Sequence, residues 1–150
     1  MRVVIQRVKK GSVTIDNALF SQIGKGLVVL VGICDDDNDS DIEWLVKKIV
    51  NLRIFDDSEG VMNRSLIDTD GELLVVSQFT LMASTVKGNR PSYIKASKGE
   101  VAVPIYDKFV EQLQKAMNKR VATGVFGADM VVEIINDGPV TITIDSKARE

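Results

Sequence analysis

The order of β-patterned and helix-patterned segments limits this chain more than any other feature. Runs rich in β-branched residues crowd both ends, and the two segments with helical spacing lie between them. Arg2 to Val8 and Val13-Thr14-Ile15 read as strands, the second leading into an Asp16-Asn17 turn, and a third covers Ala18 to Ile23. Leu27 to Ile33 is a continuous apolar run framed by Gly26 and Gly32, the pattern of a short strand buried on both faces. Leu73 to Phe79 is another. Met130 to Ile135 and Val140 to Ile144 are the last, with Val140, Ile142 and Ile144 on one face and Thr141 and Thr143 on the other.

Between them, Asp35 to Asp39 is a polar break. Ser40 and Glu43 have capping-box spacing, and Ile42, Leu45, Val46, Ile49 and Val50 predict a helix near 40–52. Residues 82–103 carry no period and read as loop. Pro104 suits the first turn of a second helix, whose apolar stripe is Ile105, Phe109, Leu113, Ala116 and Met117. This order predicts an α+β fold: a mainly antiparallel sheet curled into a barrel-like core, with two principal helices, rather than a regular βαβ winding. With 150 residues and no repeat, linker or low-complexity tract, residues 1–150 read as a single domain.

The net charge of −2 gives no global attraction for nucleic acid, so a polyanion would have to meet a local basic patch. Lys87, Arg90, Lys95 and Lys98 form one such group, with no acid among them, and Lys115, Lys119 and Arg120 another. Each could position phosphates, or be a solvated face. Met1-Arg2 runs straight into a strand pattern and no apolar stretch approaches about 18 residues, so a cytoplasmic protein without a membrane span is expected. The single cysteine, Cys34, has no internal disulfide partner and fits a reducing compartment.

The chain has no histidine. Ser-His-Asp and Cys-His machinery are therefore excluded, and zinc sites of the usual nitrogen and sulfur type with them. The carboxylates after Cys34 disfavour its thiolate, so it reads as a structural thiol. Asp35, Asp37 and Asp39 match the first ligands of a calcium loop, but Ser40 stands where that loop needs glycine and Val46 where it needs glutamate. No metal and no cofactor is expected. Gly24-Lys25-Gly26 lacks the rest of a nucleotide-binding glycine pattern and reads as a hairpin turn.

What remains is uncharged. Ser77-Gln78-Phe79-Thr80-Leu81 puts hydroxyls and an amide where a buried strand ends. Thr80 has no evident base, so it suits a hydrogen-bonding role better than a nucleophilic one. The alternative is that Ser77 and Thr80 only satisfy strand-end backbone groups. Gly138-Pro139, within Asn136-Asp137-Gly138-Pro139-Val140-Thr141, interrupts two strand-like runs. An X-Pro bond takes the cis form more readily than any other and could aim consecutive carbonyls one way; an ordinary hairpin turn would explain the same residues.

With these two segments the chain resembles the D-aminoacyl-tRNA deacylases, also called D-tyrosyl-tRNA deacylases. The likeness is nearly full length. It runs through Ile5-Gln6-Arg7-Val8, Gly11-Ser12-Val13-Thr14, Arg53-Ile54-Phe55, Met62-Asn63, Ser77 to Leu81, Gly88-Asn89-Arg90-Pro91-Ser92, Thr123 to Met130 and Asn136 to Thr141. Departures are small: Asn89 stands where the family has a basic residue and Tyr93 where it has phenylalanine. The resemblance implies hydrolysis of the ester between a D-amino acid and the terminal adenosine of tRNA, with glycyl-tRNA a second substrate. It implies a homodimer in which each Gly138-Pro139 step, cis in the family, enters the partner's pocket and leaves no room for an L side chain. Ser77, Gln78, Phe79 and Thr80 would form the catalytic segment. Phe126 and Met130 would line the adenine pocket, and Arg7 would fix the Gly138-Pro139 loop. The ribose 2′-hydroxyl would supply the activating group that the protein lacks, while backbone N–H groups near Phe79 and Thr80 stabilise developing charge. A reading of another class is a small dimeric module that binds nucleic acid or a D-amino acid without chemistry.

Overall fold

The computed structural model describes residues 1–149. Its first strand, β1 (Arg2–Ile15), is a single long element. The two strands expected there are one, because the exposed pair Lys9 and Lys10, which reads as a break in the sequence, continues the extended chain. Along β1, β2 (Ala18–Ile23) pairs with Gly11 to Ile15, and β3 (Gly26–Gly32) pairs with Arg2 to Val8, both antiparallel. Gly24 and Lys25 thus separate two strands that follow one another along one neighbour, and the expected hairpin turn is absent. Gly11 lets β1 cross the interior closely: a β-carbon there would lie 2.6 Å from Val28 Cγ2 and 3.5 Å from Leu74 Cδ2.

Next come α1 (Asp39–Asn51), β4 (Phe55–Asp56) and β5 (Met62–Arg64), the latter two a small separate hairpin. β6 (Glu72–Ser77) then joins β3 in parallel. A 3-10 turn (Phe79–Met82) and a long loop lead to α2 (Gly99–Met117), and β7 (Ala122–Thr123) pairs with β6, again in parallel. Each helix is therefore a crossover between parallel neighbours inside a sheet otherwise built from antiparallel pairs. Finally β8 (Val131–Asp145) pairs with β1 over nearly its whole length. It absorbs both strands expected at the carboxyl end. Ser21 Oγ on β2 donates to the Thr123 carbonyl on β7 at 2.6 Å, which draws the edges of the curled sheet together.

Two apolar layers hold this arrangement. Inside the curl, Val8, Val13, Ile23, Val28, Leu74 and Val76 pack on one another. On the other face, Val3, Ile5, Leu27, Val29, Leu73 and Val75 receive both helices. The stripe of α1 is buried as its spacing predicts. Its cap is not Ser40 with Glu43: Asn38 accepts from the Ser40 amide at 3.0 Å, and Asp41 accepts from the Asn38 amide at 3.0 Å. In a run of polar residues several registers of the capping pattern compete, and the earlier one prevails. The second helix starts a turn before Pro104, which lies inside it. Ala102, in the turn before the proline, is buried against the core. Tyr106, Phe109 and Leu113 continue that buried side, while Ala116 faces solvent. The Tyr106 hydroxyl donates to the Val75 carbonyl at 2.9 Å, tying α2 to β6.

Candidate active site

β6 ends against the last residues of β3. Val31 pairs with Ser77, and the Gln78 amide donates to the Val31 carbonyl at 2.7 Å. The chain then tightens into the 3-10 turn, closed by Leu81 N–H to the Gln78 carbonyl and Ala83 N–H to the Thr80 carbonyl, both at 3.1 Å. The opening amides of such a turn, here Phe79 and Thr80, have no acceptor within it. Gln78 Nε2 donates to Thr80 Oγ1 at 2.5 Å. An amide is no base, and among the described residues no ionisable side chain hydrogen-bonds to Ser77, Gln78 or Thr80. The Phe79 ring is 55 % exposed and meets Tyr93 edge-on, with centroids 5.1 Å apart.

Phe126 lies over Tyr106 with centroids 5.9 Å apart, beside the start of α2, where a β-carbon on Gly99 would sit 3.9 Å from the Phe126 ring. Met130 Sδ packs against Gly124, which follows β7, next to Val76 near the end of β6. Phe126 and Met130 are thus gathered around the same end of the sheet as Ser77 to Thr80.

Gly138 and Pro139 are elsewhere. Gln6 pairs with Thr141 and Val8 with Asn136, so residues 137–140 bulge out opposite Arg7 alone. The Gly138–Pro139 bond is cis and Gly138 has φ +128°. The segment is a bulge within β8, not a hairpin turn. Arg7, 7 % exposed, holds it from below: Nε donates to the Asp137 carbonyl at 3.1 Å and Nη1 to the Ile54 carbonyl at 2.7 Å. Asp56 and Asp137 carboxylates lie 3.4 and 3.6 Å from the guanidinium. Arg7 pairs with Leu27 at the start of β3, whereas Ser77 pairs with Val31 near its end. The two motifs are therefore separated by about 13 Å along the strand direction, and Gly138 and Pro139 both face solvent.

Beside Phe126, burial first and then the Asp107 carboxylate push the Tyr106 hydroxyl well above its ordinary range, whereas no displaced group belongs to the Ser77–Thr80 turn or to the Gly138-Pro139 bulge among the described residues. Cys34 is pushed up to about 12, by burial first and then by its hydrogen bond to the Asp36 carboxylate, 3.0 Å away. It is a protonated thiol, as expected from the acids that follow it. Burial raises the Asp41 carboxyl, but hydrogen bonds from Lys147, Ser146 and the Asn38 amide outweigh this and hold it at about 2. A groove of about 520 Å³ between β1, β8 and α1, with Val4, Trp44, Ile142 and Ile144 in its walls, has Leu81 as its link to the 3-10 turn. The sequence drew no attention to it, since its walls come from three separate elements.

Residues 4–145 match the model of the family described as D-Tyr-tRNA(Tyr) deacylase. The chain belongs to this deacylase family. It is 60 % identical to a D-aminoacyl-tRNA deacylase of Bacteroides thetaiotaomicron and 63 % identical to one of Flavobacterium psychrophilum, in each case over the whole of both chains. Among solved structures it is similar to one titled c-Myc DNA Unwinding Element Binding Protein, with TM-score 0.93 and 44 % identity over 99 % of this chain and 100 % of that one. A structure titled as a probable eukaryotic D-amino acid tRNA deacylase, 20 % identical, shares the fold with TM-score 0.82 over 95 % of this chain and 97 % of that one.

Proposed function

We propose that the protein is a D-aminoacyl-tRNA deacylase, hydrolysing the ester that joins a D-amino acid to the 3′-terminal adenosine of tRNA, with Gly138-Pro139 of a second copy completing each site. Family membership supports the reaction class. The observation that carries the site reading is the separation of the two motifs. One protomer holds its uncharged Ser77–Thr80 turn at one end of β3 and its Gly138-Pro139 bulge at the other, exposed. A two-fold pairing would bring one copy's bulge to the other's turn. β8 supports such a pairing: its edge away from β1 has no strand partner among the described residues, and Val131 and Ile135 stand exposed along it. On the same bulge, Asn136 Oδ1 is buried without a donor in the protomer, a place for a donor from outside it.

In this reading the adenine lies by Phe126 and Met130, and the ester carbonyl faces the amides of Phe79 and Thr80. Water attacks the carbonyl carbon, those amides stabilise the tetrahedral oxyanion, and the 3′-oxygen leaves with a proton relayed by the neighbouring ribose 2′-hydroxyl. Thr80 hydrogen-bonds and is not acylated. The partner's Gly138-Pro139 main chain excludes an L side chain, and glycine, having none, is accepted as a second substrate.

The structural relative named for binding a DNA unwinding element favours the alternative, a nucleic-acid-binding module without chemistry. One assay separates the two: the protein is incubated with D-Tyr-tRNA and with L-Tyr-tRNA, and ester loss is followed. Cleavage of the D form alone is expected. Retained binding with cleavage of neither would establish the module and end the hydrolase reading.

A further inference from the structure

The segment between the 3-10 turn and α2 has a charge pattern that neither the fold nor the proposed chemistry uses. From Leu73 to Gly99 there is no acidic residue, while Lys87, Arg90, Lys95 and Lys98 supply four positive charges. The chain as a whole has a net charge of −2, so everything outside this segment is more acidic still. Elsewhere several surface cations are paired, Lys10 with Glu133 at 3.1 Å, Lys108 with Asp39 at 2.7 Å, Lys115 with Glu111 at 2.6 Å and Lys147 with Asp41 at 2.8 Å, and those that are not, such as Lys25 and Lys47, lie in stretches that also carry acids. Lys87, Arg90, Lys95 and Lys98 are all exposed, and among the described residues none makes an ion pair.

Both ends of the segment are fixed at the candidate site. It leaves directly from Thr80 to Met82, doubles back through paired backbone bonds between Ser84 and Ser92 at 2.8 and 2.9 Å, and seats Tyr93 on Phe79. The Ser97 amide donates to the Ile33 carbonyl at 2.9 Å, and the segment ends where Gly99 meets Phe126. Lys98 is the residue at the amino-terminal cap of α2, and its side chain makes no capping bond. A lysine is the wrong choice for that position on grounds of stability. Capping favours a hydrogen-bond acceptor, and the helix dipole disfavours a cation there. What lysine adds instead is positive potential beside Phe126.

We propose that residues 87–98 are the landing surface for the phosphates of the RNA strand that carries the aminoacyl ester. The inference rests on the deacylase reading above and extends it. Four unpaired cations on a loop that starts and ends at the site would hold the single-stranded 3′ end by its backbone, without reading its sequence. Phe79 and Tyr93, 55 % and 39 % exposed, offer ring surface to an unpaired base as the strand passes. The acidic remainder of the protein repels the same polyanion, so the charge asymmetry orients the approach as well as attracting it.

The test compares D-Tyr-tRNA with D-tyrosyl-adenosine, a minimal substrate with the same ester and no phosphate, over a range of salt concentrations. The variant combines Lys87→Gln, Arg90→Gln, Lys95→Gln and Lys98→Gln. Every substitution is on the surface, and thermal melting checks the fold. A second variant, Lys25→Gln with Lys47→Gln, removes exposed cations away from the site. For the wild type, log kcat/KM on tRNA should fall linearly with log salt. The fourfold variant should lose at least tenfold in kcat/KM at low salt, and its salt slope should be shallower by about 3, at roughly 0.7 for each phosphate no longer neutralised. Its hydrolysis of D-tyrosyl-adenosine should stay within about twofold of wild type, since that substrate has no phosphate to hold. The Lys25 and Lys47 variant should match wild type on both. An unchanged slope on tRNA in the fourfold variant would overturn the inference, as would equal losses on both substrates. If wild type cleaves neither substrate, the deacylase reading itself has failed and this extension falls with it.

Discussion

The amino-terminal corner and the Ser77–Met82 turn lie at the same end of the sheet and are held by opposite means. At the corner, the Met1 α-amino group and Asp37 form an ion pair with both side chains fully buried, and Ser146 Oγ accepts from the same amino group at 2.8 Å. Lys147 closes the far side on Asp41 at 2.8 Å. At the turn, the chain is fixed mostly by uncharged groups, main-chain amides and carbonyls and the Gln78 amide on Thr80, and the one charged donor, Arg2 Nη1, reaches the Leu81 carbonyl at 3.2 Å, beyond Thr80. The protein uses charge to hold its frame and leaves its candidate chemistry neutral. The bulge at Gly138 follows the same division, since Arg7 is buried beneath it and grips main-chain carbonyls, while the residues that face outward are glycine and proline. Charge stands one step behind the surface that would meet substrate.

The strongest way to break this comparison is at the corner. Asp37→Ala would leave the Met1 ammonium buried without its counter-ion and the Cys34 amide without its 2.8 Å acceptor. A loss of about 3–5 kcal/mol in stability is expected from urea unfolding, because an unpaired buried charge costs far more than the pair contributes. Below the melting range, kcat should be unaffected. A loss under about 1 kcal/mol would mean that water solvates the corner and that charge does not hold the frame there.

Gly138→Ala tests the bulge. At φ +128° an L side chain is strained, and the new β-carbon would lie 3.0 Å from the Val140 nitrogen and 3.1 Å from Arg7 Nη2. The cost to stability should be about 1–3 kcal/mol. If the bulge meets substrate, cleavage of D-Tyr-tRNA should fall at least tenfold in protein that is still fully folded by circular dichroism. Unchanged activity with lowered stability would make the bulge a structural feature only.

The frame was more legible in the sequence than the juxtaposition of its parts. Buried runs such as Leu27 to Ile33 and helix stripes such as Ile42 to Val50 declare themselves, because burial on a fixed period leaves a mark in every residue. Continuity across exposed or irregular positions leaves none, so Lys9-Lys10 in β1 and Gly138-Pro139 in β8 looked like ends of strands. Nor does a strand buried on both faces reveal whether its neighbour runs parallel, and the β3–β6 and β6–β7 crossovers were hidden for that reason. The uncharged segments at residues 77–81 and 136–141 stood out once histidine was missing. That they sit at opposite ends of β3 depends on strand register. So does the burial of Arg7 against the Ile54 carbonyl, and neither can be read from the residues nearby.

Acid should act on the corner and spare the turn. Asp41 in the folded chain is held at about 2, below its ordinary value of 3.8. A depressed carboxylate contributes stability that is fully present above the unfolded value and is lost as pH falls through the folded one. Unfolding midpoints should therefore drop between about pH 4 and pH 2, by about 1 kcal/mol for this group after allowance for solvent screening. Asp145, lowered by Arg2 against the opposing effect of burial, adds in the same direction. A stability curve flat over that window would contradict the division between a charged frame and a neutral site.

The smallest expected effect bears most directly on the chemistry. Thr80 Oγ1 accepts a hydrogen bond from the Gln78 amide, and no ionisable group in the described structure stands ready to take its proton. A hydroxyl without a base is a poor nucleophile, and in the proposed mechanism the proton passes through the ribose 2′-hydroxyl instead. Thr80→Ala should therefore keep most deacylation, within about tenfold of wild type, and lose about 1 kcal/mol or less in stability with the Gln78 bond. Rapid quenching of the wild-type reaction, followed by mass analysis of the peptide containing Thr80, should show no acyl adduct. An aminoacyl ester trapped on Thr80 would place a nucleophile in the turn after all. A neutral site would then need a proton acceptor that one protomer does not provide, and the partner copy would be where to look for it.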